Sequence, residues 1–164
     1  MSKRVIRFDL SEAGIDYAIA EIERFRDDFL QTCNELLEEL TNLGKETAQF
    51  EILKLGAFDT GELADSIKGV WNAEKRIGVI YTEVYYAIFV EFGTGIVGGR
   101  NPHPENPWEY DVNGYGDEGW YYVDGDDMKW HWTKGQPSRP FMYNTKRILR
   151  QVAPEYAAKL FNKI

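Results

Sequence analysis

The sequence has one cysteine, two histidines and no long apolar run. A single cysteine, Cys33, excludes an internal disulfide and a cysteine-based zinc cluster, and it suits a reducing compartment. Nowhere does the chain approach the roughly 18 consecutive apolar residues of a membrane-spanning helix, and no apolar run follows its basic start. We therefore expect a soluble protein that neither enters a membrane nor is secreted.

Basic residues are in the minority, 19 against 27 acidic ones, which makes the net charge −8. This balance argues against a protein whose main task is to grip nucleic acid phosphates. The charges are unevenly distributed, because residues 141–164 hold five basic side chains against one acid, whereas residues 101–138 hold eight acids against two lysines. Such opposition suits self-association or docking on a charged partner. A solvated surface with uneven charge is the alternative.

The histidines and acids do not follow a known metal-binding pattern. His103 and His131 are far apart in the sequence, and the acids at 117–127 lack the alternating twelve-residue pattern of a calcium loop. We expect a hydrated turn in this segment, with neither a metal nor a cofactor.

Apolar residues recur at spacings of three and four from Ser11 to Leu55, which predicts one long helix over 11–55. Asp9 and Ser11 are suitable N-caps for it. Gly44 lies inside this pattern, so a helical hairpin closed at residues 42–44 is the alternative interpretation. The composition, 43% hydrophobic and 28% charged, is typical of a globular chain, and 164 residues suit a single domain over 1–164.

The rest of the chain alternates strand and helix signals. We expect a hairpin followed by a short helical segment over 64–95, a loop over 96–119, an aromatic hairpin over 120–133 and a helix over 140–163 that Pro154 kinks or restarts. The predicted class is α+β, with both long helices packed on one antiparallel sheet of about four strands and a long acidic, aromatic insertion.

The triplet Asp59-Thr60-Gly61 matches the catalytic motif of aspartic proteases, in which two carboxylates share a proton. A single copy would require a homodimer. Those enzymes are almost entirely β, whereas a long helix precedes the motif here. The structural interpretation is a turn between helix and sheet, with Gly61 supplying an unusual backbone conformation.

Three segments, taken together and in order, carry a resemblance. The first contains Asp59, Thr60, Gly61, Leu63, Ser66 and Ile67. The second contains Tyr86, Ala87, Val90, Glu91, Phe92, Gly93 and Thr94. The third contains Pro137, Arg139, Pro140 and Phe141, with Ser138 where an alanine is usual. Over residues 50 to 155 the chain resembles the gene-product-ten-like tail-component family of long-tailed bacteriophages, whose members act where head meets tail.

The resemblance implies a structural, non-enzymatic protein of the phage neck in the virion, assembled in the bacterial cytoplasm. It implies a ring of six subunits around the DNA channel, between head-completion or connector proteins and tail-terminator proteins, without specific DNA binding. The alternatives from other classes are a homodimeric aspartic-protease-like hydrolase and a prophage DNA-binding regulator that uses the basic C-terminal helix.

Two further expectations concern particular side chains. Aromatic residues concentrate in the insertion, and without interleaved basic residues they favour a subunit interface over a nucleic-acid platform. The candidate interface residues are Trp108, Trp120, Tyr122, Trp130 and Trp132. We also expect Glu91 and Arg139 to form a structural ion pair, within the subunit or across a ring interface.

Overall fold

The computed structural model describes residues 5–57, 60–105, 118–125 and 127–163, and its class is α+β, as predicted. The elements in chain order are α1 (Glu12–Lys54), α2 (Glu62–Asp65), β1 (Lys68–Asn72), β2 (Ile77–Tyr81), α3 (Ala87–Phe92), α4 (Gly95–Arg100), β3 (Trp120–Val123), β4 (Trp130–Thr133) and α5 (Phe141–Phe161).

The chain divides into two compact units. Unit 1 comprises Met1–Gly44, Gly69–Ile80 and Ile148–Ile164, and unit 2 comprises Lys45–Lys68 and Tyr81–Arg147. The two long helices therefore contribute residues to both units, whereas the short helices α2, α3 and α4 belong to unit 2.

Helix α1 begins at the predicted caps. The Ser11 hydroxyl accepts a hydrogen bond from the Gly14 N–H at 3.1 Å, and the Asp9 carboxylate accepts one from the Ser11 N–H at 3.0 Å. Hydrogen bonds from the side chain and then the backbone of Ser11 lower the pKa of Asp9. The N-terminal boundary was therefore readable from the sequence.

Helix α1 continues through Gly44, so the alternative of a helical hairpin is wrong. A Cβ atom at Gly44 would lie 2.1 Å from Ile80 Cδ1 and 2.9 Å from Leu149 Cδ1. The glycine thus permits close side-chain packing within unit 1. Its presence reflects tertiary contact, and it does not break the helix.

The expectation of one sheet of about four strands is only partly correct. Four strands occur in the described residues, but they form two separate antiparallel pairs, β1 with β2 and β3 with β4. Each strand pairs with its sequence neighbour across a short turn. The turn and strand residues predict such a hairpin, but they do not predict whether the hairpin joins a second hairpin to form a larger sheet. The segment 96–119, expected to be loop, also contains helix α4.

Unit 2 holds most of the buried apolar side chains of the described residues. They are Ala48, Ile52, Leu63, Ala64, Ile67, Ala87, Val90 and Phe141. In unit 1 the corresponding side chains are those of Ala18 and Leu160. The first two motif segments and the start of α5 are therefore built around a core, and this core positions the candidate site.

Helix α5 continues through Pro154, so the interpretation that this proline restarts the helix is wrong. Proline lacks an N–H donor and its ring crowds the carbonyl four residues earlier, that of Arg150. The residue is exposed, so its ring contributes little to packing.

We expect Pro154→Ala to stabilise the protein by about 1–3 kcal/mol, because alanine removes the clash and restores a helical hydrogen bond. Urea unfolding followed by circular dichroism measures this. Gln151→Ala, at an exposed position on the same helix, is the matched control and should leave the midpoint nearly unchanged. A destabilised Pro154→Ala variant would show that the helix requires the proline.

Candidate functional site

The three motif segments meet in unit 2. We call the region formed by residues 60–67, 86–94 and 136–143 the motif junction. Its parts are up to about 80 residues apart in the chain, yet hydrogen bonds connect the second segment directly to the third. The junction has two features, a buried carboxylate and an adjacent pocket.

Glu91 is the buried carboxylate, on helix α3. Its Oε2 accepts a hydrogen bond from the Met142 N–H at 2.9 Å, and its Oε1 accepts one from the Tyr143 N–H at 3.0 Å. These are first-turn amides of α5, which have no partner inside their own helix. A negative charge at this end is also favoured by the helix dipole. Glu91 therefore caps α5 from a distance of about 50 residues in sequence.

His103 completes the environment of Glu91. Its Nε2 lies 3.0 Å from Glu91 Oε1 and donates to it, because a carboxylate only accepts hydrogen bonds. Its Nδ1 contacts the backbone of Glu105, at 3.0 Å from the N–H nitrogen and 2.5 Å from the carbonyl oxygen. The ring packs against Phe92, with centroids 4.5 Å apart, and against Tyr143, at 5.3 Å. Sequence reasoning considered this histidine only as a metal ligand and missed its role.

Gly93 and Thr94 pair with the segment before α5. The Thr94 N–H donates to the Gln136 carbonyl at 2.9 Å, and the Gln136 N–H donates back at 3.2 Å. Gly93 has φ +78° and ψ 177°, and a Cβ atom there would lie 2.6 Å from the Ser138 nitrogen. Only glycine fits, because both the backbone conformation and the neighbouring chain exclude a side chain.

The first motif segment forms a turn and a short helix. Gly61 has φ +92° and precedes α2, as the structural interpretation required, while Asp59 lies outside the described residues. Within this segment Leu63, Ala64 and Ile67 are buried. The Ser66 hydroxyl lies 2.6 Å from that of Thr82. The Tyr86 hydroxyl donates to Glu62 Oε2 at 3.0 Å and so connects the first segment with the second.

The expected ion pair of Glu91 with Arg139 does not form within the chain. Glu91 is engaged by α5 and His103, whereas the Arg139 Nη1 donates to Gln136 Oε1 at 2.9 Å and the Arg139 N–H donates to the Val90 carbonyl at 2.8 Å. The helix already holds the amides at the start of α5 in place, so their charge-assisted hydrogen bonds to Glu91 require no further ordering. A pair with Arg139 would instead require a long, flexible side chain to be ordered, which costs conformational entropy.

The pocket has a volume of about 330 Å³. Residues from all three segments line it, including Gly61, Leu63, Tyr86, Val90, Gln136 and Arg139. The motif junction thus combines a capped helix with a pocket whose lining includes an arginine, Arg139.

The aromatic hairpin β3–β4 is largely exposed. Its register pairs Trp120 with Thr133, Tyr122 with His131 and Val123 with Trp130. Trp130 is 71% exposed, whereas Trp120 packs against Gly95. The remaining candidate interface residues are Tyr122 and Trp132, both exposed, and Trp108, which lies outside the described residues. Their role as an interface stays a prediction.

Asp124, Asp127 and His131 form a cluster on the same hairpin, with ligand atoms within 4.8 Å of one another. His131 Nε2 lies 3.1 Å from both oxygens of Asp127. The Lys129 N–H and then the His131 side chain lower the pKa of Asp127. These contacts make a hydrogen-bonded turn, and the expectation that no metal binds here stays a prediction.

The chain matches no known protein-family model, and no curated protein or solved structure is significantly similar to it. Among the described residues, no helix combines the length and apolar character that a membrane span demands. The resemblance to the phage family therefore rests on the motif segments alone.

We expect Glu91→Ala to cost about 3 kcal/mol of unfolding free energy or more, because it leaves two amides of α5 and a buried histidine without their acceptor. Glu91→Gln should cost less. Urea unfolding gives the energies, and amide hydrogen exchange at Met142 and Tyr143 should accelerate. Glu83→Gln, which removes an exposed partner of Lys68, is the control. It should change neither the unfolding free energy nor the exchange rates of these two amides. Unaltered exchange in Glu91→Ala would contradict the capping role.

Gly93→Ala and Gly56→Ala form a matched pair, since both glycines have positive φ and only one is crowded. A Cβ atom at Gly56 has nothing within 4 Å, so Gly56→Ala creates no steric clash. It should lower the unfolding free energy by about 1 kcal/mol, the cost of placing an alanine in a left-handed backbone conformation. Gly93→Ala should cost about 3 kcal/mol or more, because it adds overlap with the backbone of 136–138. Equal unfolding midpoints for the two variants would refute the close approach.

Proposed function

We propose that this protein is a structural component of the neck of a long-tailed bacteriophage, where six copies form a ring that joins head and tail around the DNA channel. The observation that carries the proposal is the convergence of the three motif segments on the motif junction. Glu91, Gly93 and Thr94 serve there to hold backbone in place. A motif built from such residues defines a fold and does not define a reaction.

The surface of unit 1 supports self-assembly. Large apolar side chains at spacings of three and four on α1 are 40–58% exposed. We call them the apolar stripe: Ile15, Ile19, Ile22, Phe25 and Phe29. Exposed apolar surface on this scale is typical of interfaces between subunits. A subunit interface would explain why the N-terminal half of α1 has regularly spaced apolar side chains that the described chain leaves exposed.

The charge of the chain supports a channel that DNA passes without being held. The net charge of −8 repels phosphate, so a ring of such subunits would let the duplex slide. In this proposal the partners at the two faces of the ring are the head-completion or connector proteins and the tail-terminator proteins, and the protein resides in the virion neck.

The described residues give the two alternatives less support than the neck proposal. The described strands make two isolated hairpins, whereas aspartic proteases are almost entirely β. For a DNA-binding regulator, the basic side chains at the start of α5 would have to reach phosphates. Instead Lys146 Nζ lies 2.6 Å from Glu105 Oε2, and the Arg147 guanidinium lies 5.7 Å from the centre of the Tyr143 ring.

Removal of the gene from the phage that carries it tests the function directly. We expect filled heads and finished tails that remain unjoined, seen by electron microscopy, and an infectivity restored by supplying the wild-type protein. Complementation with the Glu83→Gln variant, altered only at an exposed side chain, is the control. Normal virions without the protein would end the proposal.

We expect Ile22→Asp to prevent self-association, because a carboxylate in an apolar interface has no partner for its charge. Light scattering coupled to size-exclusion chromatography measures the mass across a concentration series. Gln31→Asp is the matched control, since position 31 is exposed and lies about 180° around the helix from Ile22. If Ile22→Asp assembles like the wild type, the apolar stripe is not the subunit interface.

A further inference from the structure

The pocket of the motif junction presents a single charged side chain among its described lining residues, Arg139. The guanidinium carries five N–H donors in a planar fork. Within the described part of the chain, its side-chain hydrogen bond goes to the neutral oxygen of Gln136. A fork of this shape matches a carboxylate, which it binds through two parallel hydrogen bonds. We propose that this pocket binds a carboxylate carried by a peptide, with Arg139 as the recognising residue.

Arg139 is held in position from both ends. Its own N–H donates to the Val90 carbonyl at 2.8 Å, and prolines at 137 and 140 restrict the backbone around it. Its partner Gln136 is also fixed, because the amide Nε2 donates to the Phe89 carbonyl at 3.1 Å. This orients Gln136 Oε1 toward the guanidinium. An arginine ordered before binding loses less side-chain entropy when a ligand arrives.

The rest of the lining favours a carboxylate over a phosphate. Leu63 and Val90 supply apolar surface, and the Tyr86 hydroxyl is already bonded to the Glu62 carboxylate. A dianionic phosphate would leave charge uncompensated beside one arginine in such surroundings, whereas a monoanion on a short apolar group would not. The net charge of −8 repels anions from the protein as a whole. An anion therefore binds here only if the local charge of Arg139 attracts it.

The volume limits the size of the ligand. About 330 Å³ lies at the lower end of the range for small-molecule pockets, so it suits one or two residues of a peptide. Two sources can supply the same chemistry, the carboxylate at a peptide's C-terminus or the side chain of a glutamate or aspartate. In either case the ligand is a protein segment, and the site adds a peptide-binding activity to the chain.

Chemical-shift titration of the full-length protein, with the Nε–Hε signal of Arg139 assigned, tests the site. N-acetylleucine should bind with a dissociation constant on the order of 1 mM, as expected for about a dozen heavy atoms, and N-acetylleucinamide should bind at least tenfold more weakly. N-acetylglutamate N-methylamide probes the side-chain source, and whichever acid binds more tightly identifies the source. Inorganic phosphate should bind more weakly than either acid.

Variants distinguish a loss of ligand binding from a loss of folding. Arg139→Gln should weaken N-acetylleucine binding at least tenfold, and Arg139→Lys should retain part of it, because lysine keeps the charge without the planar fork. Gln136→Glu should also abolish binding, since it places a carboxylate on Arg139 itself with almost no change in shape. Arg147→Gln, an exposed arginine outside the pocket, is the control. A dispersed spectrum shows that each variant is folded.

Several results would overturn the proposal. They are equal binding of the acid and the amide, undiminished binding by Arg139→Gln, and phosphate binding tighter than that of both acids. If neither acid binds the wild type, the proposal of an external carboxylate ligand is also wrong. The test makes no use of assembly, so the neck proposal stands or falls separately from it.

Discussion

Glu91 is the residue on which the motif junction depends, because one carboxylate satisfies the first-turn amides of α5 and a ring nitrogen of His103. The residue is buried, so each donor that it loses would remain without water as a substitute. Three neighbouring features follow from this constraint. The segment 136–139 must pass close to Gly93, His103 must lie between two aromatic rings, and Arg139 must find a partner other than Glu91.

The two units distribute apolar surface differently. Unit 2 surrounds the motif junction with buried aliphatic side chains, so the junction is stabilised by its own core. Unit 1 exposes the apolar stripe, and its amphipathic helix therefore presents to solvent what a globular domain would ordinarily bury. The chain thus has the hydrogen-bonded motif junction in unit 2 and the exposed apolar stripe in unit 1. Both are compatible with a structural part of a larger assembly.

Much of the local structure was predictable from residues near one another in sequence. Ser11 and the spacing of apolar residues identified α1, and the acids between two aromatic runs identified β3–β4. The role of Gly44 was not predictable, because a glycine inside a helix reads as a break until its neighbours Ile80 and Leu149 are known. His103 was missed for the same reason, since its partners lie on other segments.

By itself the sequence determined the class of fold, the boundaries of the two long helices, the hairpins and the three motif segments, since caps, periodicity and turn residues act over a few positions. Only the tertiary structure decided what the motif residues do. It paired Glu91 with α5 instead of Arg139, separated the strands into two sheets and left Arg139 facing a pocket. The physical reason is that a carboxylate takes the donors that the fold brings within about 3 Å, and residues about 50 positions apart reach that distance only after the core has formed.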